Sequence, residues 1–195
     1  QGAHSLNKAF LDMLPHFRSD RGVQFVIQTG KEDYKDVLEA VRTSGVRVVA
    51  RPFYNHIEDI YGVAHLVVAR AGAMTLSEIA VCGLPSILVP YPHAMDDHQT
   101  VNARTLADKG AAVLLPDREL TGERLAAEIS GLLADRKRMR SMAQNVFILS
   151  RPDSARRVAE AVEKLGGGAP QSMLHMPEDY DREDAETPAG AREGV

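Results

Sequence analysis

The sequence feature that most constrains the fold is a short apolar run that leads through a glycine into a helical pattern. Residues 66–69 are four consecutive apolar residues, which suits a buried strand. Ala71 and Gly72 follow, and both are small enough to let a second backbone or a ligand approach closely. A helix is predicted from Ala73 onward. A strand that runs directly into a helix is typical of parallel α/β sheets, which bind ligands at this edge.

The first turn of the predicted helix has the chemistry of an anion site. Its amides have no acceptor within the helix, and the helix dipole favours a negative charge there by about 0.3 to 1 kcal/mol. Charge-assisted hydrogen bonds contribute more, roughly 1.5 to 3 kcal/mol each. Thr75 and Ser77 add two hydroxyl groups. The pattern therefore indicates a phosphate site.

The same residues also fit a purely structural interpretation. Thr75 and Glu78 have the spacing of a capping box, in which each side chain bonds the other residue's amide. Three residues along a helix also places Glu78 on the same face as Thr75. A ligand that lies across the helix start would then meet both, and a carboxylate suits a sugar diol better than a phosphate. The sequence leaves both interpretations open.

Strand and helix patterns alternate along the rest of the chain. Apolar runs predict strands over 23–29, 46–50, 66–69, 85–90 and 111–115, separated by helical patterns. We expect an α/β fold with a Rossmann-like, doubly wound parallel sheet and right-handed crossovers. Three further helices are predicted over 121–133, 137–149 and 153–165. The first helix, stopped by Pro15, has no strand before it, so we expect the numbering to begin just after the first strand of a larger protein.

The charge distribution separates a nearly neutral body from an acidic tail. The 195 residues carry a net charge of −4, of which residues 166–195 contribute −5 through seven acids and two arginines. We expect residues 1–165 to be one domain and residues 166–195 to be a disordered tail. The neutral body argues against nucleic acid as a partner. No apolar run approaches the roughly 20 residues that span a bilayer. The lone Cys82 is expected to be a small buried residue.

Four loops are predicted to meet at the carboxyl edge of the sheet, where doubly wound folds bind ligands. Residues 1–4 and 71–75 offer glycines and helix starts for phosphates. Residues 53–56 offer aromatic surface and free backbone groups for a flat base, and residues 91–99 offer amide and imidazole donors for hydroxyls. Together they describe a site for a nucleotide sugar. The sequence contains neither a Walker A motif nor a G-x-G-x-x-G turn, which disfavours ordinary ATP or NAD chemistry.

Three motifs carry a resemblance to a known family. Residues 70–78 read RAGAMTLSE, residues 83–85 read GLP, and residues 98–103 read HQTVNA. At this spacing they resemble the donor-binding half of the MurG family, the GT-B-fold UDP-N-acetylglucosamine transferases that make peptidoglycan lipid II. The opening residues resemble the end of that family's glycine-rich first loop. The resemblance covers residues 1–165 and implies the C-terminal half of a GT-B glycosyltransferase, without its first strand and N-terminal acceptor domain.

The resemblance implies a role for each candidate residue in holding the donor. The backbone of Tyr54 would bind uracil, Glu78 would accept hydrogen bonds from the ribose, and Gln99 with His98 would hold the sugar hydroxyls. The amides of the first helical turn and the Thr75 hydroxyl would bind the sugar and diphosphate. The full donor-binding set is Gly2, Phe53, Tyr54, Gly72, Ala73, Met74, Thr75, Glu78, His98 and Gln99. We expect no catalytic residue in this half, because the base would belong to the other domain, and no metal or cofactor.

The implied function is inverting transfer of N-acetylglucosamine from UDP-N-acetylglucosamine to lipid-linked N-acetylmuramyl-pentapeptide. The implied partners are the N-terminal acceptor domain and a lipid-linked acceptor at the membrane surface. The implied location is cytoplasmic, peripheral at the inner face of the bacterial plasma membrane. Two alternatives stay open: a stand-alone UDP-sugar-binding subunit of a two-chain glycosyltransferase, and a GT-B enzyme with another donor or acceptor. A UDP-N-acetylglucosamine 2-epimerase is disfavoured, because the acidic and histidine residues it needs are not found. Alone, the chain is expected to bind the donor but hardly transfer it.

Overall fold

The five predicted strands are all present, and all of them pair in parallel. The structure is a computed structural model that describes residues 4–20, 22–94 and 97–166. One sheet joins two strands and the other joins three, in the orders β1-β2 and β3-β4-β5. The prediction of parallel pairing is therefore confirmed, and within the described residues it occurs in two sheets. The strands are β1 (Phe25–Gln28), β2 (Val48–Arg51), β3 (Val67–Ala69), β4 (Ser86–Leu88) and β5 (Ala112–Leu114).

Helices follow the strands as the sequence predicts. Pro15 ends the first helix at Met13, and the chain continues into a short 3₁₀ turn at Leu14–Phe17. The Thr121 hydroxyl accepts a hydrogen bond from the amide of Arg124 at 3.1 Å, which confirms Thr121 as a helix cap. The helices are α1 (His4–Met13), α2 (Gly30–Ser44), α3 (Ile57–Val63), α4 (Ala73–Cys82), α5 (His98–Ala107), α6 (Gly122–Ala134), α7 (Arg136–Ile148) and α8 (Ser154–Gly166).

The core is divided between the two faces of β4. Ile87 and Val89 belong to one buried cluster, which also contains residues of α1, α2 and α6. Leu88 belongs to a second cluster, formed with residues of α4 and α5. Successive side chains of a strand point to opposite faces, so β4 is covered on both sides. This arrangement explains its continuous apolar sequence and confirms the doubly wound fold.

One glycine is required by the packing of two helices. A Cβ built on Gly122, the first residue of α6, would lie 2.4 Å from the backbone carbonyl carbon of Asp12 in α1. Backbone atoms cannot move aside as a flexible side chain can, so only glycine allows this approach. The close contact fixes the start of α6 against the end of α1.

Some predictions are wrong and others lie beyond the described residues. Cys82 is exposed, not buried, because the last turn of α4 turns this residue to the surface. The opening residues 1–3 and the predicted acidic tail from residue 167 onward lie outside the described residues.

The chain divides into two compact units, residues 1–152 and 153–195, and α8 belongs to the second. Within α8, Val158, Val162 and Leu165 recur at helical spacing. None of the helices formed by the described residues has the length and apolarity needed to cross a membrane.

Candidate functional site

The start of α4 has the open geometry that an anion site needs. Gly72 is the N-cap residue, in an extended conformation, and no side chain caps the helix. The amide of Leu76 bonds the Gly72 carbonyl at 3.0 Å, so the amides of Ala73, Met74 and Thr75 precede the first helical hydrogen bond. Thr75 therefore lies inside the first turn and is not the N-cap, which makes the capping-box interpretation wrong.

The glycine at this turn is not required by the protein's own structure. Gly72 has φ −69° and ψ 143°, which other residues adopt readily. A Cβ added to it would meet no atom of the described residues within 4 Å. Neither backbone strain nor packing explains the missing side chain. The absence of a Cβ leaves free space directly in front of the first-turn amides, where a ligand would lie.

Glu78 lies one turn further along α4 and is held by a neighbouring helix. Its Oε2 accepts a hydrogen bond from the Tyr61 hydroxyl of α3 at 3.2 Å. Burial raises the pKa of Tyr61 to about 12, with a further contribution from the negative charge of Glu78. The hydroxyl therefore stays protonated at neutral pH and acts as a donor. Sequence reasoning found Glu78 but missed Tyr61, since nothing in the spacing of the two residues indicates a contact.

The loop after β2 presents an exposed aromatic side chain and a backbone amide that already donates a hydrogen bond. Phe53 is 64% exposed. The amide of Tyr54, to which the family resemblance gives a role in binding uracil, donates to Oε1 of Gln28 at 3.0 Å. Gln28 is the last residue of β1, so its side chain crosses to the neighbouring loop at the carboxyl edge. A base that bonds this amide must displace Gln28, which sequence reasoning did not include in the site.

The loop after β4 is tied to the start of α5 and to the glycine turn. Oε1 of Gln99 accepts from the Tyr91 amide at 3.0 Å, which leaves its NH₂ group as a donor for a ligand. The Asn102 side chain donates to the carbonyl of Ala71 at 3.2 Å. Asp97 is the N-cap of α5 in a left-handed conformation, φ 52°, and its side chain makes no capping bond. His98 is exposed in the first turn.

Arg70 joins the ends of three strands and the start of α1. Its Nη1 donates to the carbonyls of Val89 and Pro90, both at 3.1 Å, and to Oδ1 of Asp117 at 2.7 Å. Its Nη2 donates to the Ser5 hydroxyl at 2.6 Å. The loops after β3, β4 and β5 are thereby held at one edge. The sequence contained Arg70 within the quoted motif, but its role depends on Asp117, 47 residues away.

The structure places three of the four predicted loops at the carboxyl ends of parallel strands. The loops at 53–56, 71–75 and 91–99 all leave the carboxyl ends of parallel strands, apart from residues 95 and 96, which the structure does not describe. Gly2 lies outside the described residues. No group of three or more His, Cys, Asp or Glu side chains suited to a metal ion occurs among the residues that the structure covers.

Comparisons with known proteins agree with this geometry. The glycosyltransferase family 28 C-terminal domain matches residues 1–158. Two curated relatives are named UDP-N-acetylglucosamine–N-acetylmuramyl-(pentapeptide) pyrophosphoryl-undecaprenol N-acetylglucosamine transferase. The one from Anaeromyxobacter sp. strain Fw109-5 is 43% identical over 85% of this chain and 44% of its own length. The one from Desulforamulus reducens is 35% identical over 85% of this chain and 46% of its own length.

A solved structure shows the same fold. The crystal structure of Acinetobacter baumannii MurG matches with a TM-score of 0.72 and 28% identity, over 84% of this chain and 47% of that one. The chain therefore spans about half the length of the proteins it matches. The family match covers most of the sequence and includes every described candidate residue. The chain belongs to the glycosyltransferase family 28 C-terminal domain family.

Proposed function

We propose that the chain is the donor-binding half of an inverting glycosyltransferase that uses UDP-N-acetylglucosamine. The acceptor we propose is lipid-linked N-acetylmuramyl-pentapeptide, the substrate class in the names of the two curated relatives. The three described loops supply a surface for a base, amides for a diphosphate and donors for sugar hydroxyls. Along the chain these chemistries follow the order base, diphosphate and sugar.

The observation that carries this proposal is the unfilled space at Gly72. A glycine kept by the protein's own packing would show a positive φ or a close neighbour, as Gly122 does. Among the described residues Gly72 shows neither, and unlike Gly62 and Gly131, which share this freedom, it stands in front of three first-turn amides. The simplest use of this space is the close approach of a phosphate to peptide N–H groups. Glu78, one turn away, then lies near the ribose.

The chemical contribution of this half is stabilisation of the leaving group. As the bond between the sugar C1 and the diphosphate oxygen breaks, negative charge grows on the diphosphate. The amides of Ala73, Met74 and Thr75 are already oriented by α4, so they stabilise that charge without reorganisation. We propose that this stabilisation needs no metal ion. The base that activates the acceptor hydroxyl is assigned to the other domain of the longer relatives.

This division of labour predicts the behaviour of the isolated chain. We expect it to bind the donor but hardly to transfer its sugar, because we assign the acceptor site and the base to the other domain. In the whole enzyme we place this half at the inner face of the bacterial plasma membrane, where a lipid-linked acceptor is presented. Measurable formation of the lipid-linked product by the 195 residues alone would contradict the assignment.

Calorimetric titration of the chain tests the donor assignment. We expect UDP-N-acetylglucosamine and UDP to bind, with UDP-galactose weaker because it presents a different hydroxyl pattern to Gln99. Replacing Glu78 with Ala should weaken UDP by about tenfold, since one or two hydrogen bonds to a charged group are lost. Equal binding of UDP by both proteins would return Glu78 to a structural role. Preference for another nucleotide sugar would favour a GT-B enzyme with a different donor.

A further inference from the structure

The contact between Tyr61 and Glu78 has a geometry that the packing of Tyr61 imposes. Tyr61 lies on α3, and its ring packs against the buried cluster that contains Leu76 and Ile79 of α4. The ring is therefore held by apolar contacts, independently of the hydroxyl. The hydroxyl lies 3.2 Å from Oε2 of Glu78. The position of the donor is set by the fold, and the carboxylate adjusts to it.

A glutamate carboxylate needs such a partner if it is to recognise a diol. The side chain has three rotatable torsions, and it samples several rotamers when its carboxylate is bonded only to water. A hydrogen bond from a packed phenol to one carboxylate oxygen is charge-assisted and selects one of these rotamers. The remaining lone pairs are then fixed in direction before a ligand arrives. Affinity gained in this way comes from preorganisation.

We propose that Tyr61 is a positioning residue, which holds the Glu78 carboxylate ready for the vicinal hydroxyls of a ribose. The consequence is selectivity for ribonucleotides over nucleotides that lack those hydroxyls. The inference rests on the proposed donor site and names a determinant of its specificity. Tyr61 acts through Glu78 and does not itself touch the reacting atoms.

The test compares UDP with 2′,3′-dideoxy-UDP, which keeps the base and diphosphate but has no ribose hydroxyls. Both are titrated against the full 195-residue chain, Tyr61→Phe, Glu78→Ala and the double variant. We expect Tyr61→Phe to weaken UDP by about three- to tenfold and to change dideoxy-UDP by less than about twofold. In the Glu78→Ala background, Tyr61→Phe should change neither nucleotide, because the group it positions is gone.

A tyrosine elsewhere in the chain provides the matched control. Tyr34→Phe removes a hydroxyl from the half-buried Tyr34 of α2 and should leave the ratio of the two affinities unchanged. The midpoint of thermal unfolding of each variant checks that the protein still folds after the substitution.

Different outcomes separate the inference from the proposed function. Equal loss of both nucleotides in Tyr61→Phe, or a further loss in the Glu78→Ala background, would show a packing role and overturn the inference. An unchanged ratio in Tyr61→Phe, with a preference for UDP in the unaltered chain, would also overturn it while leaving the donor site intact. Failure of the unaltered chain to bind UDP would overturn both.

Discussion

At the scale of single residues, Gly72 is the position where ligand binding and stability are most clearly separable. Its conformation suits any residue and a methyl group there meets no protein atom within 4 Å. We therefore expect Gly72→Ala to change the free energy of unfolding by less than about 1 kcal/mol, because the lower entropy of the unfolded chain is opposed by the poorer N-cap preference of alanine. The same methyl group would stand in the path of a phosphate. Calorimetry should show UDP binding weakened by at least about tenfold.

The control for this substitution is a second glycine with the same freedom. A Cβ at Gly131, inside α6, also meets no atom within 4 Å in the part of the chain that the structure describes. Gly131→Ala should stabilise the helix by roughly 1 kcal/mol and leave UDP binding unchanged. If both variants bind UDP as the unaltered chain does, the space at Gly72 is not used by the ligand.

Gln28 provides a second residue-scale prediction. Its carboxamide occupies the Tyr54 amide that we assign to uracil. Removing it in Gln28→Ala leaves this amide bonded only to water, so the ligand no longer competes with a side chain. We expect UDP to bind about two- to tenfold more tightly, in line with the net value of one neutral hydrogen bond. Weaker binding of UDP in calorimetry would show instead that Gln28 contacts the base directly.

The sequence could nominate candidate groups but not the contacts between distant residues. Glu78 and Gln99 are candidates because a helix start and a loop end can be placed from local patterns, and the family resemblance implies their roles. The bond between Tyr61 and Glu78 spans 17 residues, and that between Gln28 and Tyr54 spans 26. Such contacts depend on how two elements pack, which a single sequence does not encode locally. The exposure of Cys82 was missed for the same reason.

At the scale of elements, the start of α1 is tied to the start of α2. The buried Asn7 donates to the carbonyl of Thr29 at 2.8 Å and to Oδ2 of Asp33 at 2.7 Å. The hydrogen bond from Asn7, assisted by one from His4, lowers the pKa of Asp33. These bonds order the carboxyl edge at the end of β1, beside the starts of α1 and α2. The two helices are thus joined through one side chain and one carboxylate.

This junction gives a prediction about acid stability. A carboxyl whose pKa is lowered in the folded state stabilises the protein above its ordinary pKa of about 3.9, and this contribution is lost as the pH falls through the folded value. Asn7→Ala should lower the free energy of unfolding at pH 7 by about 1 to 3 kcal/mol through the loss of two hydrogen bonds. Urea unfolding at pH 7 and pH 3 should show a smaller difference between the two proteins at pH 3. A difference that grows toward acid would contradict this account.

Element boundaries show where sequence reasoning about helices and strands was sound. The predicted helix starts near residues 98 and 121 agree with α5 and α6. The predicted strand over 85–90 is shortened to Ser86–Leu88, because prolines lack the amide that a ladder requires. The left-handed cap at Asp97 was not predicted, since aspartate at a helix start normally caps with its side chain.

At the scale of the whole molecule, the two sheets correspond to the two flanks of a doubly wound sheet. In the general topology the first of six strands lies at the centre, with the second and third on one side and the fourth to sixth on the other. The sheets β1-β2 and β3-β4-β5 have the strand numbers and the parallel pairing of these two flanks. The amides of Phe25 and Thr29 donate to the carbonyls of Arg47 and Arg51, on the β2 side of β1, and the amide of Val67 donates to the carbonyl of Pro85, on the β4 side of β3. Because successive amides of a strand point to alternate edges, the amide of Val26 points away from β2 and that of Val68 points away from β4.

This topology predicts the effect of lengthening the chain at its amino end. A chimera that joins to Gln1 the segment found before the matching residue of a longer relative should form a parallel strand between β1 and β3. Hydrogen exchange at Val26 and Val68 should then slow by at least about tenfold relative to the 195-residue chain. Unchanged exchange at both amides would show that the added segment does not pair there. The amide of Val67, already bonded, serves as the internal reference.

The first turn of α4 has a consequence for how this family tolerates mutation. The groups that we assign to the diphosphate are peptide amides of Ala73, Met74 and Thr75, so exchanging a side chain for any residue other than proline does not delete them. Substitutions at these positions are tolerated as long as the helix starts at the same residue and the N-cap residue before it has no side chain in the path of the ligand. A competitive inhibitor that relies on the same amides would, by this reasoning, leave few routes to resistance by point substitution.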